Sequence, residues 1–441
     1  MNQSQRATSL QQRMEIWERA SSGETDVQIA VALQISQETV RKWRRKAERA
    51  GRKGLASTMG RPKSGQLGSF SAELRDAIRD MRQAHPGWGP DTLRKELEDD
   101  PRFKGLKLPS RARIAAFLKD MKLTRRYQRH TELTQPTAEV PQVAHDEWEM
   151  DAQGVRVVSG IGKVSLINLG DPYSHVRVAS LACLNKSKAD TADYQLTIRR
   201  GALQYGLPKV ISLDHDSAFF DNTCPSPYPS RLHLWLIGLA IAVRFIPRSR
   251  PTAHGFIERT HQIVDQQALL GQHFDNPASL QPTLDQRLEF LNTRLPSRSL
   301  DGQAPLIAHP EAAQSGRLYR PEWEDKLFDL QRVYRYLADQ RWFRQVTPAG
   351  QFTLGAHRYG IGKASGSQMI EITFDPNTQE FLCLSTDGQH TQRVKAQGLS
   401  FADLSGELPM DHFANYQYAL PWTSQACRQN LLCTEMAGTT L

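Results

Sequence analysis

The sequence predicts a multidomain chain: N-terminal all-α helix-turn-helix modules, a central α/β core on a mixed five-stranded sheet, and a small all-β barrel towards the C-terminus. Three observations carry this. The first 130 residues read as short capped helices and hold 28 Lys and Arg against 15 Asp and Glu, a net +13 in a chain whose total is +9. From Trp148 the apolar pattern turns extended and then alternates between extended and helical segments. Past Pro348, short alternating runs are separated by turn signals.

Residues 1–50 form the first module. A helix over Leu10–Ala20 carries apolar residues at Met14, Trp17 and Ala20 and is broken by Ser21-Ser22-Gly23. Thr25 caps a second helix with Val27, Ile29, Ala30 and Leu33 inward. Ser36 caps a third, with Val40 and Trp43 facing the core. The third helix carries Arg41, Lys42, Arg44, Arg45 and Lys46, five cations in six residues. A helix, a tight turn and a basic helix make the layout of a DNA reader, which favours DNA contact over a merely solvated basic face. Residues 51–68 read as a Gly/Ser/Lys/Arg linker. A second helical DNA-binding module spans 69–130, with the turn His85–Pro90, a helix over Asp91–Leu97 and a last helix capped by Ser110. That helix sets the DNA-contact candidates Arg111 and Arg113 beside an apolar stripe of Ile114, Phe117 and Leu118.

Residues 140–275 form the core. Strands are expected at 154–158, 163–169 and 176–184, then a helix at 190–205, a strand at 208–213, a helix at 232–239, a strand at 242–246 and a closing helix at 251–270. Three strands followed by helix, strand, helix, strand, helix is the order of an RNase H-like fold, its mixed sheet covered on both faces. A helical connector covers 276–345 with one helix over 321–343, a small barrel covers 346–405, and 406–441 is a tail without strong signal. The barrel strands are Phe352–Leu354, Met369–Phe374 and Phe381–Leu384.

The five cysteines are scattered without a CxxC pair, which points to reduced thiols and away from a disulfide frame or zinc site. The longest apolar run, Leu234–Val243, is too short to span a bilayer, and Met1–Arg6 has no signal-peptide core. A cytoplasmic, DNA-associated protein is expected, with no membrane partner. The absence of Walker, GxGxxG and GxSxG motifs argues against nucleotide hydrolysis and serine chemistry.

Three acidic residues stand in telling contexts: Trp148-Glu149-Met150-Asp151, Asp214-His215-Asp216-Ser217-Ala218-Phe219 after an apolar run, and His254-Gly255-Phe256-Ile257-Glu258-Arg259 with helical periodicity. Two carboxylates at strand ends and one on a helix can meet and hold two Mg²⁺ ions, the apparatus for in-line attack on a phosphodiester. At ~100° per residue, Glu258, Gln262 and Asp265 lie opposite the face of Phe256, Ile257, Ile263 and Val264. Asp171 opens a structural turn, and His145 and Asp146 are loop residues.

With Gly206-Leu207-Pro208 before the second Asp and Leu291–Pro296 after the core, the segment 140–310 resembles the catalytic core of DDE-type insertion-sequence transposases and retroviral-type integrases. The resemblance implies that Asp151, Asp214 and Glu258 are catalytic and bind two Mg²⁺ (or Mn²⁺) ions. It also implies partners: element-end and target DNA, bound by a homo-oligomer that pairs two ends for strand cleavage and strand transfer. Departures are His215 and Asp216 for the usual Asn-Gly, and His254 for Asn, so Asp216 rivals Asp214 as second carboxylate. The rival readings are a catalytically inactive transposase-derived regulator and a plain nuclease.

Overall fold

Side-chain caps start the three helices of the N-terminal unit, Met1–Ser71. Ser9, Thr25 and Ser36 each accept a backbone N–H three residues ahead, and Gln12 and Gln28 return the bond as capping boxes. They open α1 (Leu10–Ser21), α2 (Asp26–Leu33) and α3 (Gln37–Ala50). Gln34, left-handed at φ 52°, turns the chain from α2 into α3. Ile16, Ile29, Val40, Trp43 and Ala47 make the core. Two expectations are corrected. Ile16 is the fully buried residue of α1, with Met14, Trp17 and Ala20 half-buried against the same core, whereas Val27, expected inward, points to solvent. Leu55, read as linker, is fully buried in a 3₁₀ turn over Gly51–Leu55. Its carbonyl accepts Arg13 Nη1 at 3.2 Å, and that guanidinium lies 4.0 Å from the Trp43 ring. The Gly, Arg and Lys around Leu55 hid a single core residue.

The computed structural model describes residues 8–56, 65–124, 141–215, 219, 224–246, 255–386, 388 and 390–408. Residues 57–64 of the expected linker, Asp216, His254 and most of the tail lie outside them.

In the second unit, Ala72–Leu441, α4 (Ala72–Ala84), α5 (Pro90–Asp99) and α6 (Arg111–Asp120) precede the sheet. Its strands are β1 (Glu147–Val158), β2 (Gly162–Gly170), β3 (Arg177–Leu184), β4 (Val210–Leu213) and β5 (Ala242–Phe245), in the order β3-β2-β1-β4-β5. Strands β1, β2 and β3 pair antiparallel, while β1, β4 and β5 run parallel. On one face Trp148, Met150, Ile167, Leu169, Ile211 and Leu213 join a core with α7 (Thr191–Tyr205) and α8 (Arg231–Gly238). The other face receives α9 (Gly255–Val264), a π turn over Asp265–Leu269 and α10 (Leu280–Thr293). Strand β1 begins seven residues earlier than expected, so Asp151 lies within a strand. The expected helix over 251–270 is α9 plus the π turn.

After the short α11 (Pro305–Ala308), the helix expected over 321–343 is broken into α12 (Glu324–Leu327) and α13 (Leu330–Ala338), and then becomes strand β6 (Trp342–Gln345). Asp329 causes the break: its backbone is extended and its side chain caps α13. Strands β9 (Met369–Asp375), β10 (Glu380–Ser385) and β11 (Thr391–Lys395) complete a four-stranded sheet ordered β11-β10-β9-β6, beside the hairpin β7 (Gln351–Leu354) and β8 (His357–Gly360). These are two separate sheets in the described pairings. A last helix, α14 (Phe401–Ser405), sends the Leu404 and Ser405 carbonyls to Gln195 and Arg199 of α7. The small β region therefore shares the core of the large sheet, with Trp342, Phe352 and Phe381 in the same cluster as Trp235. Among the described residues, no helix is long and apolar enough to cross a membrane.

Candidate active site and nucleic-acid interface

Period-2 alternation in β1 puts Trp148 and Met150 into the apolar core and aims Glu147, Glu149, Asp151 and Gln153 at the α9 face. The parallel register pairs Glu149 with Ser212; Asp151 lies two residues further along β1, and Asp214 lies just past the end of β4. Asn168 of β2 sits opposite Asp151. This face is polar where one of a covered sheet is ordinarily apolar, and each group on it needs a partner.

Glu147 takes bonds from the Ser212 hydroxyl and the Arg244 guanidinium, and Arg244 Nε reaches Ser212 Oγ at 3.1 Å. Glu149 Oε2 accepts the Ile257 N–H at 3.1 Å in the first turn of α9. Burial pushes the Glu149 carboxyl up to about 7; the Ile257 bond opposes this, and the charges of Glu147 and Glu258 reinforce it. Asp151 Oδ2 lies 3.0 Å from His261 Nε2, and His261 Nδ1 lies 2.6 Å from the Asn168 amide. An amide N–H on Nδ1 puts the ring proton on Nε2, where it donates to Asp151. One turn later, Asp265 accepts from Gln153 Nε2 at 2.7 Å.

The structure thus places Asp151 in mid-strand, Asp214 half-buried just past β4, and Glu258 exposed one turn ahead of His261 on α9. The helix faces differ from expectation: Ile257, Thr260, His261 and Val264 are the buried residues, and Glu258 lies on the flank. All three belong to elements meeting at one end of β1 and β4. Among the described residues, however, no three His, Cys, Asp or Glu groups converge closely enough to hold an ion. Sequence reasoning missed Glu149, His261 and Asn168. The alternation Trp148-Glu149-Met150-Asp151 was the available signal for the first; nothing local marks the other two.

On α3 the cations divide. Asp26, at the start of α2, holds Arg44 at 3.0 Å and Arg41 at 3.4 Å. Arg44 also meets Glu48 at 3.1 Å. Lys46 lies 4.8 Å from the Trp43 ring centroid. Lys42 and Arg45 are exposed on the face opposite Val40, Trp43 and Ala47. In the second helical module Arg111 pairs with Asp91 at 2.8 Å, and Arg113 is half-buried. This module leans on the sheet helices: Trp88 Nε1 donates to the Gln267 carbonyl at 3.1 Å, and Arg287 of α10 lies 4.5 Å from the Trp88 ring and 2.6 Å from Glu96.

Residues 12–63 match a helix-turn-helix domain family. No curated protein matches the chain. Among solved structures, the chain is similar to a simian T-cell lymphotropic virus intasome in complex with a PP2A regulatory subunit (13% identity, 74% of this chain and 96% of that one, TM-score 0.32). It is also similar to the Mos1 mariner paired end complex with Mn (13%, 64% and 91%, 0.24) and to the Mos1 strand transfer complex (14%, 65% and 91%, 0.25). By family match, residues 12–63 of this chain carry a helix-turn-helix domain.

Proposed function

We propose that the chain is a DNA transposase of the DDE type, binding element ends as a homo-oligomer and catalysing Mg²⁺-dependent strand cleavage and strand transfer. One observation supports the reading: Asp151 in β1, Asp214 just past the parallel neighbour β4, and Glu258 on α9, which packs against β1, belong to neighbouring elements. The donor set is hard carboxylate oxygen, which suits Mg²⁺ or Mn²⁺. When bound, two such ions would supply charge stabilisation at the phosphoryl centre and an activated oxygen nucleophile. Asp151, Asp214 and Glu258 would hold them. His261 orients Asp151, and Glu149 fixes the start of α9, so that the Glu258 backbone has one position. The basic N-terminal unit would grip the DNA through α3, with Lys42 and Arg45 exposed towards it and Arg41, Arg44 and Lys46 alongside; Arg111 and Arg113 would add a second contact. The same reading places the protein in the cytoplasm on DNA, in an RNase H-like core.

Asp151→Asn, Asp214→Asn and Glu258→Gln keep shape and remove charge. Each is expected to fold and bind DNA, yet lose strand transfer of a pre-cut end by roughly 10²-fold or more. Asp216→Asn is expected to stay active; survival of Asp214→Asn with loss in Asp216→Asn would reassign the second carboxylate. A second reading, an inactive transposase-derived regulator, is favoured by the absence of a converged acidic group among the described residues. Salt-sensitive DNA binding without strand transfer at any end or metal would establish it.

A further inference from the structure

One strand over from Asp214, a cavity of about 530 Å³ opens between α8, β5, α13 and β6. Phe245 on its wall pairs with Leu213, and the His215 ring lies 5.6 Å from Phe245, so the cavity lies on the α8 face of the sheet, across the strand ends from the α9 face. Its walls are aromatic. His233 is 5.7 Å from Phe245 and 5.2 Å from Tyr336, and Tyr228 is 5.0 Å from Trp342, between ring centroids. The interior carries no formal charge, because burial pushes His233 down to about 4 and raises the Tyr228 phenol. Charge and hydrogen bonding sit at the rim, where half-buried Gln340 and exposed Arg341, paired to Glu371 at 2.8 Å, line the opening. Flat neutral walls inside and a guanidinium outside suit a planar, uncharged ring tethered to an anion. That is a nucleobase on its phosphate.

We propose that this cavity receives one unstacked nucleobase of the DNA strand whose phosphodiester lies at Asp214, with Tyr336 stacking on the ring and Gln340 meeting its edge. The inference rests on the reading of the chain as a DNA-processing enzyme. Aromatic stacking tolerates any base, so the site would select for an unpaired nucleotide and not for a sequence.

The test uses the full chain in EDTA and two duplexes, one fully paired and one with a single unpaired 5-iodouracil. The unpaired duplex is expected to bind about tenfold tighter by anisotropy, on the scale of one stacked base. Ultraviolet crosslinks should map to Tyr336, Phe245 or Trp342. Tyr336→Ala should remove the preference and Tyr336→Phe restore it. Gln340→Ala, at the half-buried rim, serves if Tyr336→Ala does not fold, and should weaken the preference without changing affinity for the paired duplex. Equal affinity for both duplexes, or crosslinks elsewhere with the preference intact in Tyr336→Ala, would overturn the cavity assignment and leave the DNA reading standing. Failure to bind either duplex would remove the DNA reading itself.

Discussion

Glu324 gathers donors from α7, α8 and the loop just ahead of it onto one carboxylate. Arg199 Nη2 meets it at 2.6 Å, Trp235 Nε1 at 2.8 Å and the Tyr319 hydroxyl at 2.5 Å. Both charged partners are almost wholly buried. Burial works against the Arg199 charge, but the Glu324 bond outweighs it and holds the pKa above the ordinary value. Removing one partner leaves an uncompensated buried charge, so Glu324→Ala should cost about 3–5 kcal/mol, measured by chemical denaturation. His233 supplies a pH test. Its folded pKa of about 4 lies below the ordinary 6.5, so between those values the unfolded chain binds more protons and stability rises with pH. The full effect is roughly 3 kcal/mol, gained from pH 4 to above 6.5. A His233→Leu variant should show a flatter loss of melting temperature on acidification, and an unchanged slope would refute this account. Neither residue was legible in the sequence. Glu324 reads as one more charged position in a helix, and only the fold reveals that Arg199 and Trp235, both far off in sequence, converge on it.

Elements whose signal is local were read closely. Caps at Thr25, Ser36 and Asp190 start helices where expected, because a cap bonds only three residues ahead. What depended on tertiary context was read less well. The polar residues of β1 hide its first half, because Glu147 is satisfied by Ser212 and Arg244, Glu149 and Asp151 by α9, and Gln153 by the π turn, all distant in sequence. The helix over 321–343 was overextended because Trp342 and Phe343 fit helical and extended patterns equally. The module α4–α6 was read as an independent reader, and its charge pattern gives no hint that Trp88 docks on Gln267 and Arg287. That docking leads to a test. A Cβ on Gly87 would fall 1.8 Å from the Gln266 carbonyl oxygen, so the turn is pressed against the π segment. Trp88→Ala should cost about 3–5 kcal/mol and accelerate hydrogen exchange in α4–α6 before that of β1–β4. Uniform acceleration across both would argue against a distinct docking unit.

At the scale of the whole molecule, charge is divided unevenly between the two units. Residues 1–71 hold 13 Lys and Arg against 6 Asp and Glu, while residues 72–441 hold 43 against 41. The N-terminal unit has its own core around Ile16, Ile29, Val40 and Trp43, so it can carry DNA affinity without the sheet. Asp26 fixes which cations matter most. It engages Arg41 and Arg44, whereas Lys42 and Arg45 stand exposed on the outer face of α3. A fragment of residues 1–71 is therefore expected to bind duplex DNA, with log affinity falling linearly in log salt. Each phosphate contact contributes about 0.9 to that slope, so Lys42→Ala and Arg45→Ala should each flatten it by up to about one. Arg44→Ala should change it less, because Asp26 and Glu48 already neutralise that guanidinium. The comparison is a salt titration of the four fragments on one duplex. Equal slopes for all of them would move DNA contact off α3, and residues 72–441 binding as tightly as the full chain would move it out of the unit altogether.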